Sequence, residues 1–164
     1  MTIRKTIEND LDAIMDIFAG ARTFMRENGN FEQWKNAYPP RELIESDLNA
    51  GNSYVCIENN RIAATFYFST VPDPTYEKIN GQWLNQRPYG VVHRIAVNHI
   101  VKGAGVFCLN WCYEQCRNLK IDTHQDNLPM RKLLGKLDFT YCGIIWLLNG
   151  DERIAFQKSS DGLS

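Results

Sequence analysis

The sequence predicts an α/β fold in which a mixed, mostly antiparallel sheet is flanked by helices. Three features point there. Apolar residues recur at helical spacing after a short N-terminal strand, and two alternating runs are joined by Asn59-Asn60. A third strand then passes through a glycine turn into a helix and a further strand, a βαβ unit. The expected order is β-α-α-β-β-β-α-β-α-β-β, and 164 residues fit a single domain, 1–164.

Residues 2–7 alternate, with Ile3 and Ile7 apolar and basic positions between them, which marks a strand. Asn9 or Asp10 then caps a helix, because an Asx side chain accepts amides of the first turn. Leu11, Ile14, Met15, Ile17, Phe18, Ala21 and Met25 carry that helix to about residue 27, where Asn28-Gly29-Asn30 stops it. Residues 31–38 are aromatic-rich and irregular. Pro39-Pro40 opens a second helix to about residue 49, since the first turn loses nothing by lacking a donor. Strands 54–58 and 61–69 flank Asn59-Asn60, whose tolerance of positive φ suits a tight hairpin.

Residues 70–88 hold Pro72, Pro74, Gly81 and Pro88 and read as a long excursion, which Tyr76, Trp83 and Tyr89 favour as ordered. Strand 89–97 leads to the turn Val101-Lys102-Gly103-Ala104-Gly105. The helix after it, to about residue 118, should bury Val106, Leu109, Cys112, Tyr113 and Cys116. A short strand at 120–123, a helix at 127–137 and strands at 139–148 and 153–158 around Asn149-Gly150-Asp151 close the chain. The last few residues read as frayed.

Hydrophobic residues make up 44% and charged residues 23%, enough for a core without disulfides or metals. Lys plus Arg number 18 against 19 Asp plus Glu, a net charge of −1, which excludes the polybasic surface of a duplex nucleic-acid binder. No apolar run nears the roughly 20 residues that span a bilayer, and Met1-Thr2-Ile3-Arg4-Lys5 has no signal-peptide core. No nucleic-acid or membrane partner and a cytoplasmic location are therefore expected. Five cysteines, odd in number and set in apolar segments, read as reduced thiols. Cys108, Cys112 and Cys116 form one helical stripe, which suits packing rather than a cluster.

The glycine turn is the main functional clue, because the helix after it begins with exposed amides and a positive dipole end. Glycines here allow a sharp connection and nothing more on one reading. A dinucleotide turn wants Gly-x-Gly-x-x-Gly, and Cys108 stands at the third glycine, in mid-chain. The remaining reading is a pyrophosphate cradle for an acyl-CoA.

Two segments carry a resemblance. His93-Arg94-Ile95-Ala96-Val97 running into Gly103-Ala104-Gly105 looks like a hydrophobic strand ending in Ala-Val before Arg/Gln-x-x-Gly-x-Gly/Ala. Asn127-Leu128-Pro129-Met130, followed by Leu133-Leu134 and Asp138-Phe139, is similar to Asn-x-x-Ala/Met, Leu-Tyr and Gly-Phe. With its order of elements, the chain from residue 2 to about 158 resembles the GNAT superfamily of acyl-CoA-dependent N-acyltransferases. It departs at Ile100, where Arg or Gln is usual, in a turn about two residues shorter, at Leu134 in place of a tyrosine, and at Asp138 in place of a glycine.

The resemblance implies an enzyme that moves an acetyl group from acetyl-CoA to a primary amine by direct attack in a ternary complex. The amine belongs to a small molecule or to a protein or peptide, and a homodimer is one assembly open to it. Ile95, Ala96 and Val97 would offer backbone amides at a splayed strand, fixed dipoles that stabilise developing charge. Lys102, Gly103, Ala104, Gly105 and Val106 would hold the pyrophosphate, and Asn127 the pantetheine arm. His93 is the candidate base, four residues before Val97, where the family's arylalkylamine acetyltransferases carry a histidine. An imidazole titrates near pH ~6.5 and accepts a proton at pH 7. A histidine hydrogen-bonded within the sheet is the other reading.

Strict alternation puts His93, Ile95 and Val97 on one face, Arg94 and Ala96 on the other. Leu134 cannot donate a proton, which leaves Tyr141, Tyr113 or no acid, since a thiol of pKa ~8.5 leaves tolerably as its anion. For the acceptor, the resemblance points to Met25, Phe31, Trp34, Tyr38, Tyr76 and Trp83, with Asp73 or Glu77 attracting a cation. Packing under long loops explains the same aromatics. His99 reads as solvent-exposed. His124 with Asp122 and Asp126 lacks a second histidine or cysteine at ligand spacing, so no metal is expected. Ile100 and Leu134 keep open a non-catalytic acyl-CoA sensor or interaction module.

Overall fold

The elements follow as β1 (Thr2–Lys5), α1 (Leu11–Glu27), α2 (Arg41–Asn49), β2 (Ser53–Glu58), β3 (Arg61–Ser69), β4 (Asn80–Gly81), β5 (Gly90–Val97), α3 (Ala104–Cys116), β6 (Asn118–Thr123), α4 (Leu128–Lys136), β7 (Thr140–Trp146) and β8 (Glu152–Ser159). The structure, a computed structural model, describes residues 1–160; the frayed end expected beyond them lies outside the described residues. One eight-stranded sheet runs β1-β2-β3-β5-β6-β8-β7-β4. Among the described residues only β5 and β6 pair in parallel. No helix among the described residues is long and apolar enough to cross a membrane.

Local signals place nearly every element. Asn59 and Asn60 take φ of 51° and 63°, as the β2–β3 hairpin requires. Asn127 caps α4, its side chain accepting from the Met130 amide at 3.2 Å. Asp10 departs from expectation. Its carboxylate accepts from Arg4 Nη1 at 2.7 Å and the Ile7 amide at 2.8 Å, inside a 3-10 turn at Glu8–Asp10, rather than capping α1. Strand β4 has no counterpart in the apolar pattern. It exists because Gly81 and Gly143 let two backbones meet so closely that a Cβ on either would collide with the opposite carbonyl.

Two cores lie on opposite faces. Leu11, Ile14, Phe18 and Ala21 of α1 pack with Ile44 of α2 on Val55 and Ala96. Cys56, the neighbour of Val55, points the other way into a core with Cys108, Leu109 and Cys112 of α3 and Leu134 of α4. Burying one such side chain as completely as Phe18, 1% exposed, stabilises by about 1.5–3 kcal/mol. On α3, Leu109 and Cys112 are buried as expected, whereas Val106, Tyr113 and Cys116 are half-buried and Ala104 and Cys108 take the contact. All five cysteines are free thiols.

The excursion between β3 and β5 is ordered by the sheet beneath it. Gln157, fully buried, accepts from the Leu84 amide at 2.8 Å and donates to Asn118 at 2.7 Å. Trp83 donates from its ring to the Tyr76 carbonyl at 2.9 Å, and both rings sit in a third core with Val91, Ile145 and Ala155. Lys120 lies under this cover, its ammonium 4.1 Å from the Trp83 ring and 3.9 Å from the Tyr89 ring, and burial pushes its pKa down to about 8.

A bulge interrupts β5. Tyr67 pairs with His93 and Thr65 with Ala96, so Arg94 and Ile95 together oppose Phe66, and Arg94 takes φ of 50°. The bulge overturns the alternation expected from sequence. His93 joins Arg94 and Ala96 on the α1/α2 face, while Ile95 and Val97 pack on the α3/α4 face. Arg94 gives Nε and Nη2 to Oδ2 of Asp47 in α2 at 2.9 and 2.7 Å, above the Tyr67 ring at 4.9 Å. That buried pair clamps the bulge to α2.

Candidate active site

Parallel pairing between β5 and β6 holds for three residue pairs, Gly90–Leu119, Val91–Lys120 and Val92–Ile121, and then stops. Beyond it β5 stays with β3 and β6 with β8, so the two strands part. A cavity of about 550 Å³ opens there, with Val92, His93, Ile95, Asp122 and Thr123 on its floor. Met25, Trp34 and Tyr38 form one wall, and Leu147, Asp151 and Arg153 from the β7–β8 hairpin another. A wider hollow of about 1010 Å³ lies between α1 and the end of β5, lined by Asp16, Arg61 and His99 among others. Its His99 is stacked on Phe24, centroids 4.0 Å apart, and its Arg4 and Asp10 are paired with each other at 2.7 Å. The smaller cavity is the one that holds a histidine–carboxylate pair.

His93 Nε2 lies 2.6 Å from Oδ2 of Asp73, and its ring rests between Tyr67 and Tyr76, with centroids 5.6 and 6.0 Å away. Asp73 reaches it because the excursion folds back. Its Oδ1 accepts from the Thr75 amide at 2.8 Å and hydroxyl at 2.7 Å, capping the turn Pro74–Tyr76, and its own amide donates to Tyr89 Oη. In the neutral tautomer that gives Nε2–H to Asp73, Nδ1 carries the lone pair. Nδ1 faces Oδ1 of Asp122 across 3.8 Å, and that oxygen also accepts from Tyr76 Oη at 2.6 Å. Burial, then the Asp122 charge, raises the Tyr76 phenol well above its ordinary value, so it stays a donor.

Burial alone would raise the Asp73 carboxyl. The hydrogen bonds from His93 and Thr75 outweigh it and hold the pKa down to about 2, from 3.8. A depressed carboxylate contributes stability above its unfolded pKa and loses it as pH falls through the folded value. The stability gap between the wild type and Asp73→Asn should therefore be full at pH 5 and close between about pH 4 and 2. Urea midpoints along that series measure it, and a gap that does not change with pH contradicts the ionised pair.

Two further features bear on a thioester ligand. The amides of Gly103 to Val106 precede the first bond of α3, from Phe107 N–H to the Gly103 carbonyl at 3.0 Å, and Gly103 turns the chain at φ 83°. Thr123 Oγ1 has no partner although the residue is 1% exposed, the one such atom among the described residues. It lines the cavity near Asn127 and Met130. An orphaned hydroxyl of this kind costs about 1–3 kcal/mol unless a ligand or water meets it. A polar arm entering between β5 and β6 fits that need.

The sequence-derived residues divide. His93, Ile95, Asn127, Met25, Trp34 and Tyr38 line the cavity. Asn127 also donates to Gln33 at 3.0 Å, which ties the loop after α1 to α4. Ala96 turns into the α1/α2 core and Val97 borders the wider hollow. Lys102 is exposed. Phe31, 63% exposed, is not part of the cavity lining, and Tyr76 and Trp83 are core residues behind His93 rather than pocket walls. Glu77 is exposed and Asp73 is engaged by His93. Leu134 is buried in the core, and neither Tyr141 nor Tyr113 lines the cavity. Asp122, Thr123 and Arg153 carried no motif of their own. The only sequence hint was Asp122 beside His124, and it pointed to metal.

The fold and its cleft together define an acyltransferase. The chain belongs to the GNAT family of acetyltransferases: it is similar to a solved member from Streptococcus agalactiae at 30% identity, over 97% of this chain and 95% of that one, with a TM-score of 0.87. A GNAT-family acetyltransferase from Listeria monocytogenes shares the fold at 17% identity, over 96% and 93% of the two chains, TM-score 0.69. So does yncA of Salmonella typhimurium, solved with its cofactor acetyl-CoA, at 15% identity over 97% and 93%, TM-score 0.64. No family model matches the chain, and no curated protein does.

Proposed function

We propose that this protein, as one acyltransferase domain, transfers the acetyl group of acetyl-CoA to a primary amine by direct attack in a ternary complex. The observation that carries the proposal is the Asp73–His93 pair facing Asp122 on the floor of the cleft where β5 and β6 part. An ammonium nitrogen about 3 Å from both Nδ1 and Asp122 fits the 3.8 Å between them. Asp122 draws the cationic amine in, and His93 Nδ1 takes its proton. Asp73 fixes the tautomer that leaves Nδ1 free and stabilises the imidazolium that forms.

The freed amine nitrogen then attacks the thioester carbonyl. A C–N bond forms, the C–S bond breaks, and the products are an N-acetyl amine and the CoA thiol. Main-chain groups of β5 past Val92 face the cleft, where fixed dipoles stabilise the developing oxyanion. The α3 amides from Gly103 to Val106 take the pyrophosphate, and Thr123 Oγ1 meets the pantetheine arm. Leu134 offers no proton, and the thiolate leaves as its anion.

A thermal-shift titration with acetyl-CoA, free CoA and NAD tests the donor. A ligand at 100 times its Kd stabilises by about 2.7 kcal/mol, and each kcal/mol moves Tm by about 2–4 °C in a chain of this size. A rise of several degrees with both CoA species and none with NAD is expected. Release of CoA thiol across an amine panel tests the transfer, and a protein that binds acetyl-CoA yet acetylates nothing is a sensor instead.

A further inference from the structure

One buried positive charge in the cavity has no ion-pair partner among the described residues. Arg153 of β8 is 9% exposed and lines both the cavity and an adjoining hollow of about 170 Å³. Among the described residues it makes no ion pair, and its hydrogen bond runs from Nη1 to the carbonyl of its own neighbour Glu152 at 2.8 Å. A guanidinium presents five N–H donors in a planar fork. Burying that fork without a partner is unfavourable.

Among the described residues Asp151 and Glu152 share the small hollow with Arg153 but form no ion pair with it, and the other charges lining the cavity have partners of their own. Arg94 gives two nitrogens to Asp47, Lys35 pairs with Glu32 at 2.6 Å, and Asp151 accepts from Asn149 at 3.1 Å. Arg153 also lies on the same sheet face as His93 and Asp122, since Ala155 packs with Val91 and the strand alternates between. The cavity thus has Asp122 at the end that receives the amine and, at the hairpin end, a buried guanidinium with which neither Asp151 nor Glu32 forms an ion pair.

We infer that the acceptor is a small zwitterion, an amine that also bears a carboxylate or phosphonate, whose anionic group is bound by Arg153. The inference rests on the acetyl transfer proposed above and names the substrate class of that site. An ionised acceptor group meets the fork with charge-assisted hydrogen bonds. A neutral analogue leaves Arg153 buried and unpaired, which is how a site built for a polar group rejects the molecule lacking it.

Calorimetric titrations in saturating free CoA test this without turnover. The probes are L-methionine against L-methioninamide, L-phenylalanine against L-phenylalaninamide, and 2-aminoethylphosphonate against ethylamine. At least one acid should bind about tenfold or more tightly than its neutral partner, and whether carboxylates or the phosphonate lead identifies the anion. Arg153→Gln should bring that ratio to about one, with CoA affinity measured alongside as a check of the fold, and Arg153→Lys should restore part of it. Acids binding no better than their partners, or a preference that survives Arg153→Gln, overturns the inference. A preference without any release of CoA thiol overturns the acetyl transfer and leaves the anion site standing.

Discussion

Replacing His93 with alanine should lower kcat about 10²–10⁴-fold at pH 7, the usual range for a lost general base. The loss should shrink at pH 9. A simple amine of pKa near 10 is almost wholly protonated at pH 7, so transfer there depends on a group that takes the proton. Two pH units more raise the free amine roughly a hundredfold, and the variant recovers part of the rate without help. Asp73 and Asp122 stay in place in the variant, so recruitment of the ammonium is retained and KM changes less than kcat. Initial rates from pH 7 to 9 with one amine acceptor measure this. An equal loss at both ends makes His93 a packing residue of the sheet, held by Asp73 and two tyrosine rings for structure alone.

Gly105→Glu should abolish the stabilisation by acetyl-CoA while the protein remains folded. Gly105 is the second residue of α3, and a Cβ there meets Leu133 Cδ2 at 3.3 Å and Val97 Cγ1 at 3.7 Å. Those are flexible side-chain ends, so the helix accommodates the change. A carboxylate in a first helical turn is itself compatible with the dipole. It opposes a pyrophosphate at the same amides, through like charge and through the space it fills. Far-UV circular dichroism checks the fold, and thermal shift with acetyl-CoA checks the site. A variant that responds as the wild type does removes the glycine turn from the donor site.

The element order was legible because each signal is local. The helical period of Leu11, Ile14, Phe18 and Ala21, the Asn59-Asn60 turn and the Asn127 cap act within a few residues of chain. Strand β4 was not legible, since two residues carry no period and their pairing depends on Gly143, 62 residues after Gly81. The faces of β5 were misassigned for a similar reason. Alternation assumes a period of two, and one extra residue at Arg94–Ile95 reverses every assignment after it. Nothing around Arg94 announces a bulge; its stabilising partner, Asp47, lies in another helix.

The sequence by itself determined the class of fold, the glycine turn before α3 and His93 as the titratable group of the central strand. Only the tertiary structure decided which groups His93 faces. Asp73 arrives from an excursion pinned by Gln157, Asp122 from a strand that has parted from its neighbour, and Arg153 from the closing hairpin. These groups lie 20 to 60 residues from His93 along the chain, where no periodicity or capping rule reaches. Their charges become informative only once burial shows which of them have partners and which do not.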